Sequence, residues 1–103
     1  MLIKVGGGQA RLEDRDNFRE FKIVVERGDE DWDMLRDALR GLARIDDSLH
    51  GWVSPSALRA SASIVDDAAW QDGFDAMIEK ARPHGWIDPQ SGEIRAHVVW
   101  LGG

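Results

Sequence analysis

Cysteine is absent from the 103-residue chain. That removes a disulfide framework, a thiol nucleophile, a CxxC redox pair and a thiolate metal site in one step. Long apolar runs are absent too. "MLIKVGGGQARLEDRDN" opens on five residues that are only partly apolar and then turns to glycine and charge. A signal peptide needs a longer apolar core, and a membrane helix needs roughly 20 apolar residues. The sequence therefore predicts a cytoplasmic protein with no membrane association. Lysine is scarce: only Lys4, Lys22 and Lys80, against ten arginines among the 13 bases. Arginine favours planar, paired hydrogen bonding over a diffuse basic coat. With 19 acids the net charge is −6, the wrong sign for a protein that grips a nucleic acid backbone.

What is present suits one globular domain. Apolar residues make up 43% and charged residues 31%, enough for a core without metal or disulfide staples. The most conspicuous pattern is a repeat. "HGWVSP" at His50 to Pro55 returns as "HGWIDP" at His84 to Pro89. Upstream of each copy lie an aliphatic run, an acidic cluster, a tryptophan and a helical pattern. Downstream, Leu58-Arg59-Ala60 answers Ile94-Arg95-Ala96.

Trp32, Leu35, Ala38, Leu39 and Leu42 form one apolar stripe; Trp70, Phe74, Met77, Ile78 and Ala81 form another. Acids precede each helix, Asp29 to Asp31 and Asp66 to Asp67, where the N-terminal N–H groups want acceptors. The glycine of each HGW then suits a helix end. Alternation over Phe21–Val25, Leu58–Ile64 and Ile94–Trp100 reads as strands with one apolar face. Each HGW segment reads as a short strand turning at its proline, so that "WVS-PS-ALRA" and "WID-PQSG-EIRA" become hairpins.

In order these elements spell β-α-β-β-α-β plus a C-terminal strand. The expected fold is α+β: a ferredoxin-like sandwich with an internal pseudo-twofold repeat. Residues 1–103 form one domain, with an arm or hairpin over 1–20 turning at Asp14 to Asn17 and Leu2 to Val5 as an added edge strand. The half-repeats are 21–65 and 58–101, sharing a strand over 58–65. The duplicated HGW is then a helix-to-strand joint. Gly6 to Gly8 is not a phosphate loop, because no Gly-Lys-Ser/Thr follows.

The sheet face away from the helices would carry Lys22, Val24, Glu26, Arg59, Ser61, Ser63, Val65, Arg95, His97, Val99 and Leu101. It is too apolar for bare solvent and too polar for a core. The pseudo-twofold relates Arg59 to Arg95 and Ser61 to His97. Two arginines aimed at one cavity can hold a carboxylate in bidentate fashion, with Ser61 beside them, and His97 can move a proton. No HxH, HxxxH or HExxH spacing calls for a metal, and no cofactor motif is present. Trp32 and Trp70 are expected on the buried sides of their helices, and Trp100 is the tryptophan placed to reach across an interface.

Three functions follow. The first is a binding or interaction domain, a homodimer through the mixed sheet face. The second is a small cofactor-free enzyme that binds an anionic or aromatic molecule through Arg59 and Arg95, with His97 as general acid or base. The third is an acidic protein that neutralises a basic partner. In size and element order only, the chain resembles the dimeric α/β barrels, among them small cofactor-free oxygenases and isomerases; no motif fixes membership.

Overall fold

The computed structural model describes residues 1–26, 32–46, 49–60 and 66–101. It is α+β, with a six-stranded mixed sheet in the order β2-β1-β3-β6-β5-β4. The strands are β1 (Leu2–Gly6), β2 (Gln9–Glu13), β3 (Lys22–Val25), β4 (Ala43–Ile45), β5 (His50–Val53) and β6 (Ile94–Trp100). The helices are α1 (Trp32–Ala38), α2 (Pro55–Arg59) and α3 (Ala68–Ala81), the last running into a 3-10 turn over Arg82–His84. A ferredoxin-like arrangement is not confirmed. Two extra N-terminal strands and two parallel pairings, β1 with β3 and β3 with β6, leave the sheet only roughly compatible with it.

The N-terminus forms a hairpin, but its turn is Gly7-Gly8, not Asp14 to Asn17. Both glycines have positive φ (60° and 77°), the geometry of the tight hairpin turns that follow strand twist. Asp14 to Asn17 does turn, with Asn17 N–H donating to Asp14 O, and it leads the chain out of β2 toward β3. β1 is not an edge; β2 covers one side and β3 the other.

Two further expectations are corrected. The first helical stripe stops at Ala38, because Gly41 at φ 80° turns the chain and Ala43–Ile45 becomes an edge strand. Leu39 stays buried beyond the helix end, while Trp32 is exposed. The strand expected to begin at Leu58 is a helix there instead. Ser54 caps it, accepting from Ala57 N–H at 3.3 Å, and Pro55 occupies the first turn. A hydroxyl cap followed by proline is a helix start as readily as a hairpin turn, and here Leu58 gains a buried site by it. Residues 61–65, the rest of that strand, lie outside the described residues, as do Asp29 to Asp31 and Ser61.

α3 forms as its sequence dictates. Asp67 caps it through Trp70 N–H at 3.0 Å. Trp70, Phe74, Ile78 and Ala81 are buried against Ile3, Val5, Ile23, Val25, Ala96 and Val98 of the central strands. Burying side chains of the Leu, Ile and Phe class contributes roughly 1.5–3 kcal/mol each. The Trp70 indole N–H, which needs an acceptor once buried, donates to Arg15 O at 2.8 Å. The crossover from β2 to β3 is thereby tied to α3. Phe18 lies on the same helix, so close to Gly73 that a Cβ there would sit 2.6 Å from its ring. Along β6, Ile94, Ala96 and Val98 are buried while Arg95 and His97 face out.

Candidate functional site

β6 changes neighbours along one edge. Near its start, Ile87 bridges to Ile94, and Arg95 N–H donates to Trp86 O at 2.7 Å. Further along, β3 takes over, with Lys22 in register with His97. Where one neighbour leaves and the other begins, a cavity of about 340 Å³ opens. Phe18, Arg19 and Phe21 form one wall. The last turn of α3, with Met77, Lys80 and Ala81, forms another. His84 and Trp86 close one side, and His50, Arg95 and His97 the other.

All three histidines of the chain line this cavity. His50 and His97 are cross-strand partners on β5 and β6, with ring centroids 5.4 Å apart. His84 stacks on Trp86 at 4.4 Å and 20°. The pseudo-twofold expectation placed His50 and His84 on different halves; the fold brings them to one cavity. Among the described residues no group of three or more His, Asp or Glu side chains is arranged to hold a metal ion.

The cations of this cavity differ from most of the others described. Lys4, Arg11, Arg36, Arg40, Arg44, Arg59 and Arg82 each hold a carboxylate. Arg19, Lys80 and Arg95 line the cavity and hold none among the described residues, and no described Asp or Glu lines it. Arg95 Nη2 lies 2.8 Å from His50 Nε2. A guanidinium can only donate, so Nε2 of His50 accepts and the imidazole proton of His50 sits on Nδ1. His97 makes its ring contact with His50 and no hydrogen bond to a described residue.

Of the residues singled out from sequence, Arg95 and His97 meet in the cavity. Arg59 does not join them. It is on α2, where its guanidinium holds Asp75, donates to Gln71 Oε1 at 2.9 Å and lies over the Phe74 ring at 4.8 Å. Its expected partnership with Arg95 required a strand over 58–65, and the helix at Pro55–Arg59 turns it toward α3 instead. Ser61 lies outside the described residues.

Sequence reasoning missed Arg19, Lys80, His50, His84 and Trp86. One signal was available for Lys80. Arg36, Arg40 and Arg82 each have an acid three residues earlier, whereas Lys80 has Ala76, Met77, Pro83 and His84 at the neighbouring helical positions. A helical lysine with no acid in reach is free for other use. Arg19 stands in "FREF", between two phenylalanines that line the same cavity.

The turn that presents Trp86 is held by local hydrogen bonds. Gly85 ends the 3-10 segment at φ 75°. Asp88 Oδ1 accepts from Gln90 N–H at 2.9 Å, and Asp88 N–H donates to Glu93 O at 2.9 Å. The Gln90 N–H holds the Asp88 carboxyl below its ordinary value, helped by Ser91. No helix among the described residues is long and apolar enough to cross a membrane.

Comparison with protein-family models, with curated proteins and with solved structures finds no match to this chain.

Proposed function

We propose that the protein binds a small anionic organic molecule in the cavity beside β6. The observation that carries this reading is the pairing pattern. In a chain of net charge −6, seven lysines and arginines outside the cavity hold carboxylates, yet Arg19, Lys80 and Arg95 in its lining hold none among the described residues and are joined there by three histidines. An uncompensated cation cluster in a partly apolar recess is an anion site in search of its anion. Phe18, Phe21, Met77 and Trp86 supply an apolar wall. The volume is at the small end of the usual ligand-pocket range of roughly 300–1,000 Å³. That favours a compact molecule over a polymer.

Calorimetric titration with benzoate and with benzamide tests the reading. Benzoate is expected to bind at least tenfold more tightly than its uncharged amide, and Arg95→Gln is expected to abolish the difference. Equal binding of the two, or of neither, contradicts the proposal.

Chemistry at the site is the second reading, favoured by His97, whose ring faces the cavity without a hydrogen bond to a described residue. It could give or take a proton at a bound anion. A homodimer is the third, favoured by Leu49, which is 62% exposed beside His50, and by Trp86, which is 46% exposed at the cavity wall. Light scattering across a concentration series decides it. All three are proposed for a protein of the cytoplasm.

A further inference from the structure

Resting on the proposed anion site, we infer that its ligand is a phosphate monoester carried on a single planar ring. Three features point there. The first is charge. Arg19, Lys80 and Arg95 together face the cavity with no carboxylate between them among the described residues. A carboxylate ligand would neutralise one of them. A phosphate monoester carries about −1.5 to −2 at pH 7 and offers three strong acceptor oxygens, so it answers more of the cluster.

The second is donor geometry. Arg95 gives one N–H to His50 Nε2, 2.8 Å away. That contact steadies the guanidinium and leaves the rest of its fork free, and a guanidinium fork matches two phosphate oxygens at once. His97, in register with His50 on one side and Lys22 on the other, adds a ring nitrogen on the same outward face. His50 is thus a positioning residue: it acts on the ligand through Arg95.

The third is the platform for the ring. Trp86 stacks on His84 at 4.4 Å and 20°, and is nevertheless 46% exposed. The indole is therefore backed on one face by His84 while part of its surface is open. Phe18 and Phe21 lie in the same lining, and about 340 Å³ accommodates one ring with its phosphate. A polymer bearing many phosphates would meet the net negative charge of the remaining surface.

Calorimetric titration of the full chain with phenyl phosphate, inorganic phosphate and benzoate separates the parts of this inference. Phenyl phosphate is expected to bind at least tenfold more tightly than either of the others. Arg95→Gln and Lys80→Gln should each weaken phenyl phosphate at least fivefold. Lys80 is exposed on α3, so that variant keeps the test valid if Arg95→Gln fails to fold. Benzoate binding as tightly as phenyl phosphate would overturn the doubly charged ligand while leaving the anion site standing. Inorganic phosphate binding as tightly would overturn the ring. Absence of binding by all three would overturn this inference and the anion site together.

Discussion

The two HGW segments share their residues and differ in almost everything physical. In the first, Gly51 lies inside β5, buried, and a Cβ on it would stand 2.8 Å from Ile23 Cδ1 and 3.0 Å from the Arg44 carbonyl. Glycine is required there because nothing larger fits. In the second, Gly85 ends a 3-10 turn at φ 75° with open space around it. Glycine is required there because of its backbone. Pro55 then starts a helix, while Pro89 sits in a turn. Identical letters are thus satisfied by sterics in one place and by conformation in the other, and both copies still deliver a histidine to the same cavity.

Substitutions at the glycines should separate the two causes. Gly51→Ala forces overpacking against a neighbouring strand's backbone and is expected to cost about 2–3 kcal/mol in a denaturant melt. Gly85→Ala adds no clash and should cost about 1 kcal/mol, the penalty for an L-residue in the left-handed region. Gly85→Asn should recover part of that, because asparagine tolerates this region better. At Gly51, asparagine should be worse than alanine. If Gly51→Ala proves as mild as Gly85→Ala, the steric account of the first copy is wrong.

The histidines sharpen the comparison at smaller amplitude. His84 is exposed and stacks on Trp86. His84→Ala should leave stability within about 0.5 kcal/mol yet weaken phenyl phosphate binding severalfold. In nitrogen-15 correlation spectra, His50 should show its proton on Nδ1, as acceptance from Arg95 requires. A proton on Nε2 would remove the pairing on which the orientation of Arg95 rests.

The smallest effect is expected from pH. The Asp88 carboxyl titrates below its usual range because Gln90 N–H bonds its charged form. A carboxylate depressed in the folded state contributes stability above its unfolded value and loses it as pH falls through the folded one. Wild type should therefore exceed Asp88→Ala slightly at neutral pH, and the two should converge in acid below the ordinary carboxylate range. The first copy has no equivalent carboxylate, Ser54 standing where Asp88 does, so its local stability should lack this dependence.

Much of the fold was legible where one local rule acted alone. The stripe from Trp70 to Ala81, with Asp67 before it and Gly85 after it, named α3 and its cap. Alternation along Ile94–Trp100 named β6 and put Arg95 and His97 on the outward face. Legibility failed where the repeat was extrapolated. Symmetry suggested that Leu58-Arg59-Ala60 must match Ile94-Arg95-Ala96, but Ser54 and Pro55 impose a helix on the first. The α1 stripe ran on to Leu42 on paper, because the apolar spacing continues past Gly41, which turns the chain at φ 80°. For the site, Arg95 and His97 followed from periodicity. Arg19, Lys80 and His84 come together only through the crossover at Phe18–Phe21 and the end of α3, a tertiary juxtaposition that no local pattern encodes.

The most direct test of the anion-binding cavity is to map where an anion lands. In proton–nitrogen spectra titrated with phenyl phosphate, the indole N–H of Trp86, the side chains of Arg95 and Lys80, and the rings of His50, His84 and His97 should shift together along one saturation curve. Trp32, beside the smaller hollow under α1, should stay still. Shifts centred on Trp32 and Arg36, or none anywhere at saturating ligand, would contradict the account.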